Sequence, residues 1–592
     1  MDNIQTPTNR VKIEIMEPRG VLVDPGREGL SNPRLTDLNG KTIALLGLYG
    51  GAESRPLLGS LIFFDILEQM LTSAYPTLKC VRFPSFGAPN AVVNADEIAA
   101  SCDAWVEGVK DAITQGRRDV GVYMERAGKP GVSICSEVLL RSKRALADLN
   151  GMPAARLVTV PATDFCAAKR NRELMEPVVR AAFDDIVKAL TTPLTEEEKR
   201  SYDMPYDYSP KTFEGETYTE AYEKFFQYCA DNALSDGLPV VPPTKEAVEW
   251  MLTGTSYERD RVIGIMYPKR GIATVEKIAI SAVMAGAKPE YLPVIIAMIE
   301  TITAKNFNQF HIVNEILPAF FISGPIIKEL GINNKIGYLA PGHRINSTIG
   351  RSVLMCMINI GWRDMTIYSS PGGPGQPAAY ANYVIAENQD ENPWESWAEQ
   401  NGFGPDESIV TACEINAVVR GPAEVTNDDT YEQRLGLVRN AFSWRAMWGM
   451  PEKAVDYRHM LVLHPSFARQ LALEGFTKQS FVRYLYDENA LDWDKMTGEQ
   501  REQLKLEVEE ATAGKGKAMY SFTKDDVKPG LHREPFSDPA NVMVMVSGTG
   551  AGNTIIFQAI AGSTGPNAED VEEPRPFMSK VIRGATLTKY GR

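Results

Sequence analysis

Between residues 41 and 160, five short runs rich in apolar and β-branched residues recur, with helical patterns between them. The runs are 41–48 (KTIALLGL), 78–83, 119–123, 131–134 and 156–160. The helical patterns cover 57–71, 95–114, 137–149 and 171–189. Parallel strands need a long crossover between neighbours, so this alternation restricts the segment to a helix-covered, mainly parallel sheet. Ligands of such open sheets lie beyond the carboxyl ends of the strands. That rule points to 49–53, Glu125-Arg126, Cys135-Ser136-Glu137 and Thr163-Asp164. Gly50-Gly51 is not the GxGxxG pattern that cradles a dinucleotide.

At 592 residues the chain exceeds one ordinary domain. The expected class is α/β, with an N-terminal parallel-sheet domain and a larger mixed α/β domain. We divide it into an extended arm (1–35), the small α/β domain (36–194), a linker (195–216) and the large domain (217–592). The arm is Pro/Gly-rich apart from one alternating stretch, Val11-Lys12-Ile13-Glu14-Ile15, and the linker opens on a capping box, Thr195-Glu196-Glu197-Glu198. A net charge of −14 argues against nucleic-acid and anionic-membrane partners. No apolar run approaches the roughly 18 residues of a membrane span, and the first residues lack a signal-peptide core. A cytoplasmic location is therefore expected. Seven scattered cysteines without a CxxC pair fit reduced thiols and give no zinc signature.

In the large domain, helices are expected at 218–232, 245–252, 274–285 and 292–303, the last nearly all apolar and hence buried. Strands are expected at 319–322, 408–419, 460–464 and 541–546. The stretch 337–351, GYLAPGHRINSTIGR, is the candidate functional centre. Its apolar run predicts a buried helix over 349–360. Asn346, Ser347 and Thr348 are then N-cap candidates whose helix start would bind an anion. Arg344 and Arg351 would add charged forks for a carboxylate or phosphate, and His343 lies beside them in the loop. Packing offers the alternative of a well-capped structural helix with surface arginines.

Other candidates lie further off. Gly548, Gly550 and Gly552 follow a strand and suit backbone N–H groups wrapping an anion, although no Gly-Lys-Ser/Thr ending makes them a P-loop. A tight turn explains them equally well. His311, Asn314 and Glu315 would share one helix face as a proton-transfer cluster, against a satisfied core histidine. The His311–Glu315 spacing suits a divalent metal, but two ligands are not a site, so no metal is assigned and the cofactor is left unknown. Glu387-Asn388 supplies a possible carboxylate base, against an exposed helix pair. Cys135 falls between a predicted strand and helix, where a thiol can be a nucleophile, against a buried small hydrophobe.

Two sets of residues resemble the UGSC-type (seleno)protein family. One is the run Asp236-Gly237-Leu238-Pro239-Val240-Val241-Pro242-Pro243-Thr244, with Val283-Met284-Ala285-Gly286, Pro289-Glu290-Tyr291, Ser323-Gly324-Pro325 and the strand–glycine loop at 542–552. The other is the α/β region from 41 to about 190, which looks like that family's smaller domain. The family is named for a Sec/Cys-Gly-Ser-Cys motif after a small-domain strand. This chain has none, and the comparable strand ends run into Met124-Glu125-Arg126 or Ile134-Cys135-Ser136. A paired-thiol motif is therefore not carried over, and Cys135 is the nearest single thiol.

The expectation is an enzyme acting on a small anionic organic molecule by acid/base or cysteine-assisted lyase or hydrolase chemistry. His343, His311, Glu315 and Cys135 would do the chemistry, and the arginines and loops would hold the substrate. Thiol redox or sulfur transfer, which the family name suggests, and a non-catalytic binding subunit are the alternatives. A homo-oligomer is expected, with no nucleic-acid or membrane partner.

Overall fold

The computed structural model describes residues 10–47, 58–83, 95–110, 119–168, 171–304, 307, 309, 317–365, 383–420, 431–441, 456–512, 525–533, 539–550, 555–561 and 577–588. In the arm and the small domain the strands are β1 (Val11–Ile15), β2 (Gly26–Arg27), β3 (Thr42–Gly47), β4 (Lys79–Phe83), β5 (Ala104–Lys110), β6 (Gly131–Ser136) and β7 (Leu157–Val160). Next come β8 (Tyr202–Asp203), β9 (Lys211–Gly215), β10 (Val262–Met266), β11 (Gly271–Thr274), β12 (Leu317–Ser323), β13 (Tyr383–Ala386), β14 (Ile409–Arg420) and β15 (Asp456–Leu463). The last are β16 (Leu491–Asp492), β17 (His532–Arg533), β18 (Val542–Val546), β19 (Ile555–Ala561) and β20 (Met578–Val581).

The small domain is a five-stranded parallel sheet in the order β4-β3-β5-β6-β7. Alternation along β3 divides its side chains between two cores. Ile43 and Leu45 meet Phe63, Leu67 and Met175 on one face, and Ala44 and Leu46 meet Ile98, Val120 and Met124 on the other. The sheet is thus covered on both faces, as a doubly wound parallel sheet must be. One expected strand and part of one expected helix change places. Helix Ala95–Ser101 stops early and gives way to β5, while 119–123 lies in helix Val120–Arg126. Asp119 caps that helix, its carboxylate accepting from the Val122 N–H at 3.3 Å. Trp105 of β5 lies flat against Gly131, where an added Cβ would come within 2.2 Å of the ring.

The arm and the 195–216 segment are laced to each other: β1 pairs antiparallel with β9, and β2 with β8. Arg19, almost fully buried, donates to the carbonyls of Ile358 and Asn232 at 2.9 and 2.6 Å. Arg34 and Asn32 hold the buried Glu125 of the small domain, with Arg34 at 2.9 Å.

The large sheet runs β13-β12-β14-β19-β15-β18, with β20 also on β14. Strand β12 is parallel to β13 and antiparallel to β14. In the same way β15 is parallel to β18 and antiparallel to β19. The antiparallel β14–β19 pair joins these two units back to back, so the sheet has an internal pseudo-twofold. The registers agree, because Ile322 pairs with Ala386 and Leu463 with Val546 at the last position of each parallel pair. One face gathers Phe321, Ile385, Cys413, Met460, Val462 and Met545 into a shared core. The other packs in one half on the buried helices Val275–Met284, Leu292–Ile302 and Arg344–Asn359, and in the other half on Pro465–Leu473 and Lys478–Asn489. The outer strands β13 and β18 approach at their carboxyl ends, where the Asn388 N–H donates to Val546 O at 2.8 Å and Ser547 Oγ to Ala386 O at 2.9 Å. The sheet therefore curls until its two edges touch at one point.

Candidate active site at the seam of the large sheet

Two parallel strand ends and a helix start converge at this seam. Glu387 follows β13 and is fully buried, where a carboxylate survives only with partners. Ser323 Oγ donates to its Oε2 at 2.5 Å, Asn392 Nδ2 to its Oε1 at 3.0 Å, and the Trp397 N–H to both oxygens at 3.1 and 3.0 Å. Asn388 is also fully buried and donates to Gly548 O at 2.7 Å and Glu391 Oε2 at 3.0 Å. Its Oδ1 is buried without a hydrogen-bond partner among the described residues.

Lys478 completes the cluster. It is the first residue of helix Lys478–Asn489, behind the Thr477 cap, and its side chain is only 2% exposed. Nζ donates to Glu395 O at 2.8 Å and lies 3.8 Å from Glu387 Oε1. Burial pushes Lys478 below the usual lysine range against the opposing pull of Glu387. A cation at a helix N-terminus also meets the unfavourable end of the dipole. Burial pushes Glu387 above the usual carboxylate range, against Lys478, Ser323 and the Trp397 N–H. Burial thus acts on both groups in favour of their neutral forms, and titratable pairs perturbed in this way mark a candidate functional site.

Beside them lies a cleft of about 450 Å³. Lys478 lines it together with the apolar side chains of Trp397, Phe403, Val482 and Phe577, and with Gln400, Asn401, Gln479 and Ser579. An apolar wall with a few convergent polar groups is the usual make-up of a small-molecule site. Gln400 Oε1 is buried there with no hydrogen-bond partner among the described residues. Trp397 is fixed by its Nε1–H to Thr411 Oγ1 at 2.8 Å and by an edge-on contact with Phe577. Glu387 stands behind Lys478 and does not line the cleft.

The candidates from the sequence fall in different places. The helix expected over 349–360 begins a turn earlier, at Arg344 with His343 as its N-cap residue, so Asn346, Ser347 and Thr348 lie inside it. Asn346 exchanges two 3.0 Å hydrogen bonds with the Asn333 backbone, and Thr348 Oγ1 donates to Arg344 O. Arg351 grips Asp236 through two parallel bonds of 2.8 and 2.9 Å, tying down the Asp236–Thr244 run, and Arg344 donates to Gly286 O at 3.0 Å. The His343 side chain lies near Gly337 and makes no capping bond.

Gly548 comes to the seam, its N–H donating to Asn334 O at 2.9 Å, while Gly550 O accepts from the Ser466 N–H at 3.2 Å. Cys135 lies at the end of β6, one residue before Ser136, the N-cap of the 3-10 turn Glu137–Leu139, and is fully buried. Burial pushes the thiols of Cys80, Cys229 and Cys356 up to about 12. His311, Glu315 and Gly552 lie outside the described residues. Glu387-Asn388 is no exposed helix pair but a buried strand end. Lys478 carries no sequence signal, and Ser323 stands out only within the Ser323-Gly324-Pro325 turn, since the carbonyl and carboxylate that they meet come from distant segments.

Among the described residues no three His, Cys, Asp or Glu side chains are placed to hold a metal, and no helix is long and apolar enough to cross a membrane. The first part of the chain is therefore a doubly wound parallel α/β domain, laced by its arm to a larger mixed α/β region. Residues 14–192 match the UGSC family. The chain matches no curated protein.

Proposed function

We propose that the chain is an enzyme acting on a small organic anion by acid/base chemistry, in the cleft beside Lys478. The observation that carries this reading is a buried lysine, held toward its neutral form, on the wall of an apolar cleft and backed by a buried carboxylate. Lys478 is the base that meets substrate, and Glu387 is a positioning residue that exchanges protons with it. Gln400, Asn401, Gln479 and Ser579 supply hydrogen bonds for the anionic head, and Trp397, Phe403 and Phe577 hold the apolar body. Acid/base chemistry is favoured over a cysteine nucleophile because Cys135 is enclosed in the sheet. Incubation of the full chain with pooled small carboxylic acids, followed by mass spectrometry, tests this. Turnover that falls by about 10²–10⁴ in Lys478→Met supports the reading, in the range for loss of an acid/base group. Turnover that survives the substitution overturns it.

A further inference from the structure

We propose that Lys478 works as a nucleophile, its amine condensing with the carbonyl carbon of a 2-oxo acid held in the cleft to give an imine. The inference rests on the reading of that cleft as the active site and names its substrate class. Three features of the geometry carry it. First, the amine has no carboxylate within hydrogen-bonding distance: Glu387 Oε1 stands off at 3.8 Å, and the short contact is to a neutral carbonyl, Glu395 O. A lysine so placed is free to change partner, as nucleophilic lysines in apolar pockets do. Second, the cleft offers both polar and apolar groups to one small molecule. Amide and hydroxyl groups of Gln400, Asn401, Gln479 and Ser579 suit the carboxylate, while Trp397 and Phe577 shelter an apolar side chain. Third, Glu387 is placed to relay protons, with Ser323 and the Trp397 N–H fixing it behind the amine.

The step balances without any further reactant. The nitrogen lone pair attacks the carbonyl carbon, the π pair moves to oxygen, and the nitrogen's surplus proton passes to that oxygen. The Glu387 carboxyl behind it then gives its own proton to the nitrogen, which hands one on to the hydroxyl, and this leaves as water while the nitrogen lone pair closes the C=N bond. The sum is one amine, one carboxylic acid and one ketone going to an iminium, a carboxylate and one water. The cation is formed facing the Glu387 carboxylate, so charge separation is neutralised where it arises. Such an iminium acidifies the α-carbon and opens the way to C–C cleavage or proton exchange.

The test is reductive trapping. The full chain is incubated with pyruvate or phenylpyruvate and sodium borohydride, and peptides are mapped by mass spectrometry. The expected result is an adduct on Lys478 at about ten times the occupancy of the exposed Lys245, lost in Lys478→Arg. Labelling of Lys478 no greater than that of Lys245 with both probes overturns the imine. If turnover of the acid pool is nevertheless lost in K478R, the acid/base reading stands alone. If turnover persists in K478R, both fall. Glu387→Gln, checked for unchanged circular dichroism, is expected to trap about tenfold less, and undiminished trapping removes Glu387 from the relay.

Discussion

Among the described residues two buried lysines sit beside carboxylates, and they meet opposite fates. In the small domain Lys143 donates to Asp119 at 2.7 Å and to Glu107 at 3.2 Å, while Ser133 Oγ donates to Glu107 at 2.7 Å. Burial alone would push Lys143 down, but Asp119 and then Glu107 outweigh it, and the amine is held above the usual lysine range. On the large sheet Lys478 is equally enclosed, yet Glu387 at 3.8 Å is its one ion-pair partner, with Glu395 and Glu399 acting more weakly, and burial wins. The difference lies in the number of carboxylates and about an ångström of distance. Two close carboxylates hold a lysine as a cation that locks its helix to strand β5 and to the Asp119 helix cap. One more distant carboxylate leaves it below the usual lysine range, which suits chemistry and contributes little to stability.

The largest expected effect breaks the first member of this comparison. Lys143→Met leaves Glu107 and Asp119 buried without their cation, and a loss of about 3–5 kcal/mol follows from breaking a buried ion cluster on one side. Urea denaturation of the full chain measures it, and a loss below about 1 kcal/mol would show that the cluster is not a lock. Lys478→Met should behave the other way. Glu387 is already drawn toward its protonated form and keeps Ser323, Asn392 and the Trp397 N–H as partners, so the fold should lose only about 1–2 kcal/mol. A stability loss as large as that of Lys143→Met would make Lys478 a structural cation like its counterpart.

The pH dependence sharpens the contrast. Lys143 is raised in the folded state, so its contribution is fully present below the ordinary value of 10.5 and is lost as pH rises through its folded value. The stability gap between the wild type and Lys143→Met should therefore stay flat across neutral pH and close only in strong alkali. Glu387 is also raised, above an ordinary value of 4.5. The folded state then binds more protons than the unfolded one, so this site's contribution is full below 4.5 and shrinks as pH rises through the folded value. Glu387→Gln cannot ionise, and it should gain stability relative to the wild type as pH climbs above 4.5. A constant gap between the two in thermal melts taken from acid to neutral pH would mean that Glu387 titrates normally.

What the chain discloses before it is folded follows from how far each signal reaches. The alternating runs of the small domain are local, and they announce the parallel sheet because β-branched runs and amphipathic stretches need nothing distant to be recognised. The third strand is hidden because only Cys102 and Asp103 separate Ala104–Lys110 from the preceding helix, so one apolar pattern runs through both, while Asp119 turns a β-rich run into a capped helix. In the large domain four strands, β12, β14, β15 and β18, are legible, but their pairing is not. Strand β14 takes partners from both sides of its own sequence position, β12 and β20 among them. The arginine at 351 reads as a free anion anchor until Asp236, 115 residues away, closes on it. Nothing local to Lys478 marks it in the sequence, since its partners Glu395 O and Glu387 come from another segment.

The smallest expected effect concerns the tie between the two regions that hold these lysines. Asp148 of the small domain accepts from Arg27 of the arm at 2.6 Å and pairs with Lys269 of the large domain at 3.0 Å. Lys269 and Arg27 hold Asp148 below the usual carboxylate range, although burial opposes them. The pairing therefore contributes above the ordinary value of 3.8 and is lost as pH falls through the lower folded value. Asp148 is one-fifth exposed, so water screens the attraction, and Asp148→Asn should cost about 1 kcal/mol near neutral pH and almost nothing in strong acid. The two lysine sites are built within their own sheets, so neither the Lys143 stability gap nor Lys478-dependent turnover should move with it. A change in turnover on loosening Asp148 would show that the small domain sets the geometry of the cleft, and the two lysines would then belong to one machine.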